Sequence, residues 1–342
     1  LIAAESAASA AVPREEAGSR WILGPARDRL FFVYSPLLAL ALGVAASLTP
    51  LADETFSLYG RSESWVSLFS GAFTMAHLSI VFFRSHGNPA IFSLYPKRFL
   101  LAPPLLLGAM LVSKWALVTA FVLAVWWDVY HSALQTFGLG RLYDAKAGAD
   151  SEEARRLDRG LNLVLYIGPI LAGATLMDHA AHFDKFGNLG AVFLSGIPAA
   201  LDARRGPLSL AALGAGAAYV AYYLWRVRAL VRAGLPVPRE KTVLFASTAA
   251  CSIYTWGFNS FGQAFFIMNF FHALQYFALV WHAEKTRIRF LPFLLGAGFA
   301  YGVWAKLWGE SSHAAFAVLL TVSLLHFWYD GFVWSVRKKQ IA

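Results

Sequence analysis

Four histidines stand inside long apolar stretches: His77 in "FTMAHLSIVFF", His131 in "WDVYHSALQ", His272 in "NFFHALQYFALVWH" and His326 in "LLHFWYDGF". A neutral imidazole is the form of histidine that binds a metal ion. Lipid cannot satisfy its two ring nitrogens, so a histidine at membrane depth faces the bundle interior or a wet cavity. Each of the four also has polar company three or four residues away, on its own helical face. His131 is flanked by Asp128 and Gln135, His272 by Asn269 and Gln275, and His326 by Asp330. His77 has Thr74 one turn before it and Ser70 a further turn back. The echo "HSALQ" and "HALQ" places His and Gln similarly on two distant segments.

This pattern points to a metal or cofactor centre built from His77, His131, His272 and His326. Imidazole donors suit iron, copper or zinc. Gln135, Gln275 and Asp128 are expected around the ligands, where such groups fix tautomer and ring orientation. Asp330 is expected either to bind the ion or to orient a ligand, and Tyr276, one turn from His272, to face the same cavity. A bland alternative is a polar packing network in which the same side chains bond one another between helices.

The elements that must carry these residues are legible from composition. The chain has 342 residues, 58% hydrophobic and 14% charged, against about 45–50% and about 25% in ordinary soluble domains. Several windows exceed the ~18 apolar residues that a membrane helix needs. We expect an all-α, polytopic transmembrane bundle of about ten spans, near 30–50, 65–84, 99–113, 115–140, 161–177, 207–225, 242–258, 260–282, 291–306 and 313–334. The stretch 188–201 is short and ends in "DARR", as a re-entrant or interfacial piece would. Residues 1–28 are read as an N-terminal cytoplasmic segment without the apolar core of a signal peptide, 29–336 as one transmembrane domain, and 337–342 as a basic cytoplasmic tail.

The net charge of +9 is not a nucleic-acid footprint, because the basic residues sit in short loops between apolar runs. That is the positive-inside pattern. It places segments 84–98, 141–160, 226–241 and 283–290 and both termini on the cytoplasmic side, and the acidic loop "LADETFSLYGRSES" on the other. The expected location is multi-pass in the cell's inner (cytoplasmic) membrane, with the lipid bilayer as surroundings. All four histidine-bearing spans then run outside to inside. His77 lies seven residues before Arg84, His131 ten before Arg141, His272 ten before His282 and His326 eleven before Arg337. At ~1.5 Å per residue the four fall within several ångströms of one depth. His86, His282 and His313 are expected at interfaces. His179 and His182, in "DHAAHF", are expected as exposed loop residues on the far side. The single cysteine, Cys251, excludes an intrachain disulfide and any Cys-based zinc or iron–sulfur site in this chain.

The segment "FFHALQYFALVWH" resembles the one in the Brp/Blh β-carotene dioxygenases in which two histidines lie a turn apart before a Phe-x-x-Val-Trp stretch. His272 matches the first of the two, and Tyr276 stands at the second. His77 and His131 are similar in order and separation to two earlier family histidines, and His326 with Asp330 to a late His and Asp pair. The family's Pro-His-Gly and His-Phe-Gly contexts are absent. The resemblance implies a multi-helix membrane enzyme with non-haem Fe(II) held by histidines, acting on an apolar, carotenoid- or lipid-like small molecule. Two other classes stay open: a haem b protein with two axial histidines, passing electrons to or from quinone, and a non-catalytic transporter or subunit with a membrane-protein partner.

Overall fold

The computed structural model describes residues 20–334 apart from 53, 150 and 289. The expectations for residues 1–19 and for the basic tail, Arg337 included, lie outside the described residues. Long helices dominate. They are α1 (Ser35–Ser47), α2 (Trp65–Ser85), α3 (Pro96–Val112), α4 (Lys114–Lys146), α5 (Glu152–Ala172), α6 (Arg205–Arg232), α7 (Arg239–Phe258), α8 (Phe261–Glu284), α9 (Leu291–Trp308) and α10 (His313–Val333).

Among the described residues, five helices are long and apolar enough to cross a membrane: α2, α4, α6, α8 and α10. The bent pairs Pro25–Val33 with α1, and α5 with Leu176–Leu189, raise this to seven if each is one span. Helix α3 has only 17 residues. Helix α7 opens on the charged Arg239, Glu240 and Lys241. The 188–201 stretch holds the short helices Val192–Ser195 and Ile197–Asp202.

Serine side chains set several helix starts. Ser64, Ser113, Ser151 and Ser312 accept hydrogen bonds from the N–H groups of Ser67, Ala116, Ala154 and Ala315, opening α2, α4, α5 and α10. Each satisfies a donor that the first helical turn leaves free. The acidic loop departs from the all-α expectation. It folds into a hairpin of β1 (Thr55–Leu58) and β2 (Arg61–Ser64), antiparallel, with Leu58 opposite Arg61. Tyr59 and Gly60 both have positive φ, 49° and 76°, as a tight turn matched to strand twist requires.

Helix α8 is apolar around most of its circumference and is accordingly central. Ile267, Met268, Phe271 and Leu279 join one core with residues of α4, α5 and α7. Ala273, Tyr276, Phe277 and Val280 join a second core with α2, α3, α9 and α10. Helix α9 lies against α2 through Gly298 and Gly302: a Cβ on Gly302 would sit 2.0 Å from the Ala72 carbonyl oxygen. Small residues four apart permit this close approach.

Contacts advance in step along α2, α4, α8 and α10, so these four run parallel. Asp128 bonds Asn269 and Gln135 bonds Gln275 between α4 and α8. His77 and Arg84 of α2 meet His272 and Glu284 of α8, and His326 and Val333 of α10. The basic segments therefore gather at one end of the bundle. Arg84 binds Glu284 at 2.8 Å, and Glu284 also accepts from Asn88 and Arg287. Lys241 lies 2.8 Å from Asp144 and 3.0 Å from Asp158. Helix α4 thus runs on to Lys146, six residues beyond the span end expected near 140, because its last turns are held by this buried ion cluster.

Candidate metal centre

His77, His131, His272 and His326 converge from α2, α4, α8 and α10. Their rings form a closed circuit with centroids 5.1 Å (His77–His272), 5.0 Å (His272–His131), 4.8 Å (His131–His326) and 5.0 Å (His326–His77) apart. Neighbouring rings meet nearly edge-on, at 69–87°. All four side chains are buried. One ligand atom each of His77, His272 and His326 lies within 4.8 Å of the others, and the same holds for His131, His326 and Asp330. Nε2 of His131 is 3.2 Å from Nε2 of His326. Two nitrogens bound to one ion at about 2.0–2.1 Å stand roughly 3.0–3.4 Å apart.

The ring nitrogens are what make this cluster fit a cation. Nδ1 of His77 is bonded to the Thr74 carbonyl, and its Nε2 has no partner. Neither nitrogen of His272 has one. Buried polar atoms are ordinarily hydrogen-bonded, and each exception needs a reason. Histidines elsewhere in the chain follow the ordinary rule. His86 Nε2 is bonded to the Phe99 carbonyl (3.1 Å), His313 Nε2 to Met110 (2.8 Å) and His179 Nδ1 to Thr175 (2.8 Å). His77 also shows the pattern usual for a metal ligand, with one nitrogen on a backbone carbonyl and the other free.

The companions are placed differently from the expectation. Gln135 Nε2 donates to the His272 backbone carbonyl (3.0 Å) and to Gln275 Oε1 (3.1 Å), not to a ring nitrogen. Gln275 Nε2 donates to the Phe32 carbonyl (3.3 Å) and Ser35 Oγ (3.2 Å). These amides fix helix backbones rather than imidazole tautomers. Their i+3 or i+4 spacing puts them on the histidine face but one turn along. Asp128 is likewise bound to Asn269 and joins α4 to α8 a turn before the rings. Tyr276 and Asp330 do reach the cluster. The Tyr276 ring lies 4.7 Å from that of His326, and its hydroxyl donates to Asp330 Oδ1 at 2.7 Å. Oδ2 of Asp330 is 3.7 Å from Nε2 of both His131 and His326.

Sequence reasoning passed over Trp334. Its indole N–H donates to Asp330 Oδ1 at 2.9 Å, and Arg84 stacks on its ring at 4.1 Å. The signal was available, since Asp330 and Trp334 are four residues apart. His179 is buried rather than exposed, packed against Trp126, Trp256 and Phe261. Neither it nor His182 belongs to a three-ligand group among the described residues.

No protein-family model, curated protein or solved structure matches this chain.

Proposed function

We propose that the chain is a multi-pass protein of the inner (cytoplasmic) membrane, with about ten spans and both termini cytoplasmic, and that its histidine circuit holds a redox-active metal ion, Fe(II) first, in an oxidoreductase acting on an apolar lipid- or carotenoid-like molecule. One observation carries this reading: four buried imidazoles from four helices meet at one point while His272 and His77 leave nitrogens without partners. A packing network would have paired those nitrogens. A cation at the common point would take Nε2 of His77 and one nitrogen of His272 together. The similarity of "FFHALQYFALVWH" to the Brp/Blh segment favours iron and an apolar substrate.

His77 would bind through Nε2, its Nδ1–H held by Thr74. His131 and His326 would bind through the Nε2 atoms that already lie at ligand spacing. Bound Fe(II) would supply oxygen activation at a position the histidines leave free. Phe73, Phe277 and Phe327, in the cores around the circuit, keep its surroundings apolar. A haem fits less well. Inserting a flat macrocycle between one pair of these rings would displace the other pair.

The test is metal analysis of the purified protein by elemental mass spectrometry, with an absorption spectrum. About one iron per chain without a Soret band is expected, lost on His131→Ala. A Soret band would indicate the haem reading, and no stoichiometric metal under any loading condition would sink both.

A further inference from the structure

We propose that Asp330 is an anionic ligand of the same ion, presented to it by Tyr276 and Trp334, so that the centre is a four-histidine, one-carboxylate set. This rests on the metal reading above and deepens it.

The carboxylate of Asp330 has two differently used oxygens. Oδ1 accepts from the Tyr276 hydroxyl (2.7 Å) and the Trp334 indole (2.9 Å). These two donors, on α8 and at the end of α10, fix the plane and rotation of the group. Oδ2 is thereby aimed at the histidines, equidistant at 3.7 Å from Nε2 of His131 and His326. That is too long for a hydrogen bond. It is within a few tenths of an ångström of the roughly 3.0–3.4 Å separation of two donors on one ion. The grouping of His131, His326 and Asp330 shares His326 with that of His77, His272 and His326, and the proposed ion stands where the two groups meet.

Charge gives the reason for a carboxylate here. Four neutral imidazoles would leave the full double charge of a divalent ion buried at membrane depth, where uncompensated charge is costly. Asp330 halves it. The same logic applies to Asp330, whose Oδ1 partners are both neutral. The nearby cation Arg84 already has a carboxylate of its own, Glu284, at 2.8 Å. A fifth, oxygen donor also changes which metals fit. It suits ions that accept mixed nitrogen and oxygen sets of five or six donors, such as Fe(II), Mn(II) and Co(II), over soft Cu(I). An octahedral set would keep one position open.

The experiment uses the full chain in detergent, with Co(II) as the probe. Affinity is measured by titration, and coordination by the metal-bound minus metal-free infrared difference spectrum, in which carboxylate ligation moves the carboxylate stretching bands. Wild type is expected to bind one Co(II) and to show that band pair. Asp330→Asn keeps the shape, removes the charge, and is expected to lose the bands and at least tenfold in affinity. Tyr276→Phe retains the ligand but leaves Oδ1 with the Trp334 indole alone. It is expected to keep shifted bands and to lose about 10–100-fold in affinity, as lost orienting partners do. If Asp330→Asn binds Co(II) with unchanged difference bands, at whatever affinity, Asp330 is no ligand while the histidine reading stands. Should Asp330→Asn not fold, bands and affinity unaltered in Tyr276→Phe count against the proposal in its place. If wild type binds no Co(II), both readings fall together.

Discussion

Replacing His272 by leucine should change stability in opposite directions with and without metal. Both ring nitrogens of His272 are buried and have no hydrogen-bond partner in the protein. Leaving a buried polar group unsatisfied costs about 1–3 kcal/mol in water-soluble proteins. Intramembrane hydrogen bonds average nearer ~0.6 kcal/mol, with a maximum of about 1.7. Leucine has similar bulk and no polar atom, so little cavity is created at this site between α4 and α8. Metal-free His272→Leu is therefore expected to be more stable than wild type by about 1–2 kcal/mol. With metal the order reverses. Wild type gains about 2.7 kcal/mol at a free-ion concentration of one hundred times Kd, and the variant, lacking a ligand, gains far less. The assay is thermal unfolding of both proteins in detergent, in chelator and in Fe(II) or Co(II) under anaerobic conditions. The two melting curves should cross over between conditions. A variant that melts lower in chelator, by the amount of one lost hydrogen bond, would mean that His272 is paired in the native bundle. A wild type indifferent to metal would refute the reasoning outright.

Other outcomes follow from the same structure. His179→Ala should leave bound metal at full stoichiometry by elemental analysis, because His179 belongs to a separate aromatic cluster and bonds Thr175. Gly302→Leu should destabilise the bundle by about 1–3 kcal/mol, as over-packing does, since its Cβ alone would meet the Ala72 carbonyl at 2.0 Å; chemical denaturation would read this. Glu284→Gln would leave Arg84 buried without its carboxylate, and breaking a buried pair costs about 3–5 kcal/mol, measurable as a large fall in melting temperature. Cysteines placed at Arg228 and Arg287 should label from the same side of the membrane in oriented vesicles, with native Cys251 silent because it is buried; labelling from opposite sides would overturn the topology.

Much of the scaffold is legible in the sequence. Helices stand where apolar runs lie between charged or small capping residues, because backbone groups in lipid must bond within their own segment. The common level of His77, His131, His272 and His326 also followed from counting residues to the basic ends, since rise per residue is constant. The periodicity that placed Gln135 and Gln275 on the histidine faces was right about the face and wrong about the contact. A turn of offset is enough to bring an amide to a neighbour's backbone carbonyl instead of a ring. Tyr276 and Asp330 were marked by proximity in sequence, but only packing put the hydroxyl of one on the carboxylate of the other, 54 residues apart.

The chain alone determined which segments are helical and which side of each helix is polar, because these depend on local covalent geometry and on the spacing of polar residues along each helix. Only the tertiary structure decided that α2, α4, α8 and α10 surround one point. It also decided that Arg84 spends its charge on Glu284, and that Trp334 turns back to hold Asp330. Those choices depend on helix rotation and close approach, set by small residues such as Gly298 and Gly302 against Ala72 and Ala76. Such pairings between distant residues leave no periodic trace in a single sequence.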